Sequence, residues 1–326
     1  MPAHAAQLRY PHGRVLLART KLAYVHLRNL LNDAKRDRTA RVGGYVGIWL
    51  PDEFVLLFLR EGEPVNALSV HAHGAVPVSI GAAVARVPAD PEFGEICFHE
   101  APAEQLVCMY HTLRSTPTPW PSDVAPDDPR ALFPHLRNVS FTGVIEVVMR
   151  DTANYLLFRD GLIDQTYLTD DLGTERSEQL SRLFGPPSPR PRVRVRGWPA
   201  PLIMPAQTPP SLVAAYRELV DRVYTELTSA GVPVPSAVGE RVRTSLLDRH
   251  PSLHAFAEGA SKPDDPAAEQ DEVTAAVAAW TIETLREALD GDEAAAAKLI
   301  TTAARDRRHM LHAAGFLSAL PWEIEW

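Results

Sequence analysis

The sequence predicts an α+β fold in which two tandem small units of β-hairpin and helix precede an all-α helical bundle. Two observations support this prediction. The stretches Gly44–Gly62 and Gly143–Gly161 share a pattern of glycines, apolar runs and a tight turn, at a constant offset of 99 residues. From Ser211 onward, the spacing of apolar residues changes from two to about 3.6, which is typical of amphipathic helices.

These patterns divide the chain into five segments. They are a leader (1–21), a first α+β unit (22–115), a proline-rich linker (116–131), a second unit (132–208) and a helical bundle domain (209–326). The linker contains alternating prolines at 117, 119 and 121, which favour a stiff polyproline conformation.

In the first unit, apolar residues recur at helical spacing between Leu22 and Leu31, which predicts an amphipathic helix. Strands follow at about 45–50 and 54–59, then a tight turn at Gly62, where glycine supplies a positive φ. The small residues of 74–87 indicate either a short helix or an irregular insert. We expect a returning strand near 94–98 and a helix over 103–113.

The second unit repeats this order with a visibly shortened leading helix. Strands are predicted at about 143–149, 155–158 and 162–168, with Asp160 and Gly161 forming a hairpin turn. A helix over 174–184 and a returning strand over 190–196 complete the unit. Four glycines are expected to be structural turn positions: Gly44, Gly62, Gly143 and Gly161.

The last third predicts four or five helices with short connections. Ser211 and Ser236 are expected N-caps of the first two helices. Apolar residues between Val273 and Leu285 mark a third helix that ends near Asp290 and Gly291. A fourth runs from an Asp292 cap to about residue 314, where Gly315 ends it. The tail, 316–326, is expected to pack back on the bundle.

Net charge, cysteine count and the length of apolar runs disfavour several classes of protein. The net charge of −8 does not favour general affinity for nucleic acid, and two cysteines are too few for a disulfide framework or a thiolate zinc site. No apolar run approaches the roughly 20 residues of a membrane helix, and the N-terminus lacks the continuous apolar core of a secretory signal. We therefore expect a cytoplasmic protein.

Each repeated stretch resembles the PATAN domain, a small module of bacterial signalling proteins. The first copy matches it at eight positions: Leu30, Leu31, Gly44, Ile48, Leu57, Phe58, Gly62 and Ala67. The second matches at ten: Thr142, Gly143, Ile145, Val147, Leu157, Phe158, Arg159, Asp160, Gly161 and Ile163. The resemblance covers roughly 22–115 and 132–205 and leaves the helical third outside. It implies a non-enzymatic interaction module associated with small-GTPase or two-component signalling.

Candidate residues for chemistry are few. No catalytic constellation or cofactor motif is recognisable, so neither a cofactor nor a metal is predicted. His71 and His73 have a metal-like spacing on a strand, but a polar loop explains them better. A basic stripe stands out instead, formed by Arg190, Arg192, Arg194 and Arg196, with Trp198 adjacent.

Two explanations of the stripe remain open. On a strand, all four arginines would share one face and leave Val193 and Val195 toward the core. They would then dock an acidic protein or a phosphate-bearing ligand, or simply guard an edge strand against unwanted pairing.

The preferred hypothesis is a bacterial adaptor or scaffold that acts through protein partners, with a homodimer as a further option and with neither a nucleic acid nor a membrane span. One alternative is an enzyme whose cleft lies between the β-units and the helical domain. Another is a sensor that binds a phosphate ligand through the arginine stripe.

Overall fold

A computed structural model describes residues 4–36, 42–88, 92–170, 175–185 and 193–324 of the chain. Contacts divide the chain into two compact units. The first comprises Met1–Pro77 and Pro88–Met204, and the second comprises Val78–Val87 and Pro205–Trp326. The second unit therefore includes a short segment that lies, in sequence, within the first.

The first unit contains two antiparallel sheets. The larger has six strands: β1 (Val15–Lys21), β2 (Gly44–Trp49), β3 (Phe54–Arg60), β4 (Glu63–His71), β5 (Gly74–Pro77) and β6 (Glu95–Glu100). Their spatial order is β1-β6-β2-β3-β4-β5. The smaller has four strands: β7 (Gly143–Met149), β8 (Thr152–Arg159), β9 (Leu162–Tyr167) and β10 (Val193–Pro199), in the order β10-β7-β8-β9.

Ten α-helices are present in the described part of the chain. In the first unit they are α1 (Leu27–Arg36), α3 (Ala103–Arg114), α4 (Pro129–Asn138) and α5 (Arg176–Phe184). In the second they are α2 (Ile80–Ala85), α6 (Pro210–Ser229), α7 (Pro235–Leu246), α8 (Gln270–Ala288), α9 (Glu293–Ala304) and α10 (Arg308–Ala313). The prediction of an α+β region followed by a helical region is thus confirmed.

One four-strand arrangement occurs in both sheets. The order β6-β2-β3-β4 in the larger sheet matches β10-β7-β8-β9 in the smaller one. Gly44 pairs with Leu59 and Gly143 pairs with Phe158, so the pairing keeps the offset of 99 residues. The irregularity in register also recurs, between residues 58 and 59 and between residues 157 and 158.

The four glycines have two different roles. Gly62 and Gly161 lie in hairpin turns with φ of 79° and 76°, a conformation that glycine adopts without steric cost. Gly44 and Gly143 instead begin strands, which corrects their expected turn role. A Cβ atom at these two positions would overlap the carbonyl oxygens of His99 and Trp198 on the neighbouring strands.

The central strands β7 and β8 of the smaller sheet are buried on both faces. One face shares a core with the larger sheet and α3, in which Phe58, Met109 and Tyr155 take part. The other face packs on α4 and α5 through residues such as Leu136 and Leu183. Burial on both faces explains why β7 and β8 are nearly continuous apolar runs instead of alternating patterns.

The second unit is built around one hydrophobic core formed mainly by α6, α7, α8 and α9. The tail packs into it through the buried Phe316, Leu320 and Trp322, as expected. The inserted helix α2 is anchored by Gln207, whose side chain accepts from the Ile80 amide at 3.1 Å and donates to the Val78 carbonyl at 2.9 Å.

Several details of the prediction were wrong. The leading helix of the second predicted α+β unit (132–208) is not shortened: α4 has ten residues, capped by Asp128, and Pro134 within it obscures its pattern. Proline rather than serine opens α6 and α7, since Pro210 and Pro235 occupy their first positions. The predicted fourth helix is interrupted after Ala304, although its Asp292 cap and the positive φ of Gly315 are confirmed.

The leader contributes an unpredicted element. Strand β1 adds to the larger sheet by pairing antiparallel with β6. Its side chains are mostly exposed or half-buried, so its sequence lacks the apolar alternation that would have marked a strand. Among the described residues, no helix has both the length and the apolar character needed to cross a membrane.

Candidate functional site

Strand β10 holds the described part of the arginine stripe. Arg190 and Arg192 lie outside the described residues. Arg194 and Arg196 pair in register with Val148 and Glu146 of β7. The pleat directs Val193 and Val195 to the core shared with α4 and α5, and the two arginines to the opposite face.

Trp198 does not belong to an exposed surface. Its side chain is buried in the core between the two sheets, and its indole Nε1 donates to the Ser115 carbonyl at 2.9 Å. A role for Trp198 in direct contact with a partner is therefore inconsistent with its position. The guanidinium of Arg196 lies 5.3 Å from the centre of its ring.

The outer edge of β10 is already covered. The Thr118 amide donates to the Gly197 carbonyl at 2.9 Å, and Trp120 Nε1 donates to the Val195 carbonyl at 3.0 Å. The proline-rich linker therefore satisfies backbone groups that an unprotected edge strand would expose. At Val195 and Gly197 the linker thus protects the edge, and protection by the arginines stays a prediction.

Arg196 is held by a buried carboxylate. Its Nε donates to Glu146 Oε2 at 2.9 Å, and the Glu146 side chain is only 2% exposed. Burial raises the pKa of Glu146, and the nearby Arg196 opposes that rise. Glu146 loses nearly all of its hydration, whereas the Arg196 side chain stays 32% exposed, so the cost of burying Glu146 offsets much of the attraction between the two groups.

Arg194 has no such partner. It makes no hydrogen bond or ion pair with any residue that the structure describes. Its pKa is lowered, first because burial removes part of its hydration and second because Arg196 is close. Two guanidinium groups therefore face one carboxylate, which leaves an excess positive charge at this position.

These groups line a cleft of about 220 Å³ in the first unit. We call it the arginine cleft and define it by Arg194, Arg196, Glu146, Thr112 and His71. The five defining residues come from four elements: Thr112 lies on α3, His71 ends β4, and the other three lie on β7 and β10. Strand β5 and the N-terminal residues Ala5 and Leu8 also contribute to the lining. Its chemistry suits an anion that approaches the free guanidinium.

His71 also contacts Ser69 and Glu53. Ser69 Oγ lies 2.8 Å from His71 Nε2 and donates to the Glu53 carboxylate. This is not the geometry of a hydrolytic triad, in which the carboxylate would orient the other ring nitrogen of the histidine. Ser69 is moreover fully buried, so its hydroxyl is closed to a substrate in this structure.

The metal-like spacing of His71 and His73 is not realised on one strand. Strand β4 ends at His71, which pairs with Gly74, so His73 lies in the intervening turn. In the ranges that the structure covers, no group of three or more histidine, cysteine, aspartate or glutamate residues could hold a metal ion.

Glu146 is the site residue that the sequence did not reveal. A lone carboxylate stands in the apolar run of β7, between Ile145 and Val147. A buried charge is almost always paired, so the position of Glu146 in this apolar run could have indicated a cationic partner elsewhere in the chain.

Comparison of the chain with models of known protein families, with curated proteins and with solved structures finds no match. The resemblance to the PATAN domain stays a prediction from the residues that it rests on.

Proposed function

We propose that this chain is a non-enzymatic cytoplasmic adaptor that docks an acidic segment of a protein partner in the arginine cleft. The proposal includes two copies of a PATAN-like unit within residues 22–208 and a bundle domain that serves as a second docking or dimerising element. The single observation on which it depends is the exposed guanidinium of Arg194, which lines the cleft beside Arg196 and has no ion-pair partner among the described residues.

Charge and geometry support this choice of ligand. A guanidinium binds carboxylates through two parallel hydrogen bonds, and the exposed position of Arg194 leaves its guanidinium accessible to such a ligand. Because the linker covers the edge of β10, a partner would bind through side chains rather than by adding a strand. Partners from small-GTPase or two-component systems are what the family resemblance implies.

Site-directed crosslinking in cells tests the proposal. A photoreactive benzoylphenylalanine replaces Ala72, which is exposed and lines the cleft. We expect crosslinks to an acidic segment of one protein, and a loss of about tenfold in their yield with Arg194→Gln. Arg137→Gln is the matched control, because it removes an exposed arginine from α4 of the same unit.

A second probe position makes the outcome specific. The same photoreactive residue at Val139, which is 54% exposed, should give none of these crosslinks. Equal yields from wild type and Arg194→Gln, or crosslinks to segments without acidic residues, would refute the docking role.

The two arginines of the cleft favour a second candidate, a sensor of a small phosphate-bearing ligand. Guanidinium groups bind phosphate as they bind carboxylate, through parallel hydrogen bonds. Such a ligand would bind only the native state and raise the melting temperature of wild type but not of Arg194→Gln. Screening inorganic phosphate and cyclic nucleotides separates this role from the adaptor. The enzyme alternative stays a prediction.

A further inference from the structure

The second unit contains a pocket of about 330 Å³ that is unrelated to the arginine cleft. Three aromatic side chains line it: Tyr224 of α6, Phe256 at the end of the 3-10 turn Pro251–Phe256, and Trp280 of α8. We call it the aromatic pocket and define it by these three residues. Its volume lies in the range of small-molecule sites.

Carboxylates surround the aromatic residues. Asp221, Glu240 and Glu258 also line the pocket. Glu240 is held by Arg243, whose Nε donates to it at 2.9 Å. Asp221 and Glu258, by contrast, have exposed side chains that make no ion pair or side-chain hydrogen bond with any other residue that the structure describes.

The one cation in the lining is already neutralised. Arg217 Nη1 donates to Asp265 Oδ1 at 2.7 Å, and the Asp265 side chain is 2% exposed. Counting both ion pairs, four carboxylates (Asp221, Glu240, Glu258 and Asp265) face two guanidinium groups (Arg217 and Arg243), which leaves two negative charges.

Two further observations concern cations in this pocket: burial and nearby carboxylates raise the pKa of Tyr224, and Phe256 already contacts a cation. The pKa of Tyr224 is raised, first by burial and then by the charges of Glu240 and Asp221. The guanidinium of Arg217 lies 5.7 Å from the centre of the Phe256 ring, so a cation already contacts this aromatic surface.

We propose that the aromatic pocket binds a methylated ammonium group. Aromatic faces bind weakly hydrated cations best, because little hydration energy is lost on binding. Methylated ammonium is weakly hydrated compared with a primary ammonium. The unpaired carboxylates of Asp221 and Glu258 attract the same charge. The proposal does not depend on the adaptor function, because it concerns different residues in a different unit.

Calorimetric titration of the full chain with choline chloride tests it. We expect saturable binding with a Kd of about 1 mM or tighter, and none with 3,3-dimethylbutan-1-ol, which has the same shape without the charge. Asp221→Asn and Glu258→Gln should each weaken binding by about threefold, and Tyr224→Leu by about fivefold. Glu226→Gln, on the same helix as Asp221, is the matched control.

A short peptide that contains trimethyl-lysine distinguishes the source of the cation. Tighter binding of the peptide than of choline indicates a group carried by a protein, whereas tighter binding of choline indicates a free small molecule. Absence of binding by both probes, equal binding of the neutral analogue, or no effect of Asp221→Asn and Glu258→Gln would overturn the proposal. These exposed substitutions leave the core intact, and unchanged unfolding curves would verify that.

Discussion

The two sheets of the first unit place different chemistry at equivalent positions. In the smaller sheet, Glu146 of β7 is opposite Arg196 of β10. In the larger sheet, the residues 99 positions earlier are Gly47 of β2 and Cys97 of β6, and they too are directly opposite each other. Cys97 is buried, and burial raises the pKa of its thiol to about 11, so this position is uncharged.

The same strand arrangement therefore forms without an ion pair at the position of Gly47 and Cys97. In the larger sheet the side chains of Trp49 and Phe54 fill the space beside Gly47. Buried ion pairs are often no more stabilising than apolar residues of similar volume. The presence of Glu146 and Arg196 in only one sheet therefore supports a role in binding.

The largest expected effect tests whether the two sheets are equivalent. Gly44→Ala and Gly143→Ala should each lower the free energy of unfolding by about 3 kcal/mol, because the new methyl group overlaps a carbonyl oxygen of the next strand. Urea denaturation measures this. Gly13→Ala is the control, since its Cβ would meet ordinary contact distances. If only one of the two substitutions lowered the free energy of unfolding, Gly44 and Gly143 would not be equivalent positions.

A smaller effect is expected where the sheets differ. Arg196→Met should destabilise the protein by about 2 kcal/mol at neutral pH, because it leaves the Glu146 carboxylate buried without its partner. Cys97→Ala at the equivalent position removes only a buried thiol and should cost about 1 kcal/mol. The same urea experiment compares the two. An equal or larger loss for Cys97→Ala would contradict the contrast.

The pH dependence of Arg196→Met sharpens this result. Loss of Arg196 removes a group that lowers the pKa of Glu146, so the folded-state pKa rises further above its unfolded value. A raised carboxyl pKa stabilises the folded state at low pH, and this stabilisation is lost as pH rises through that pKa. The deficit of Arg196→Met relative to wild type should therefore shrink between about pH 8 and about pH 5. A constant deficit would show that Glu146 does not titrate in the variant.

Most strands could be predicted because their signals are local. Asp160 and Gly161 between apolar runs specify a hairpin, and the repeated spacing transfers that prediction to Glu61 and Gly62. Strand β1 was not predicted, because its mostly exposed residues form no apolar face. The packing of α2 was not predicted, because the repeat gives a misleading equivalent. The residues 99 positions later form α5, which packs on the smaller sheet, whereas α2 belongs to the second compact unit.

The site could be predicted only in part. The alternation of arginine and valine in β10 revealed which side chains share a face. Nothing local to residues 190–198 indicated that Glu146, 50 residues away, would hold Arg196 and leave Arg194 unpaired. A cleft whose lining comes from several separate elements depends on tertiary packing, which spacing within one segment does not encode.

The double substitution Glu146→Met with Arg196→Met tests whether the Glu146–Arg196 pair serves binding or the fold. Stability and partner crosslinking are measured on the same variant. We predict a free energy of unfolding within about 1 kcal/mol of wild type, since two apolar side chains replace the ion pair, together with weaker crosslinking from position 72, because only one of the two guanidinium groups remains in the cleft. Unchanged crosslinking with a large loss of stability would show that the pair serves the fold and would contradict the account.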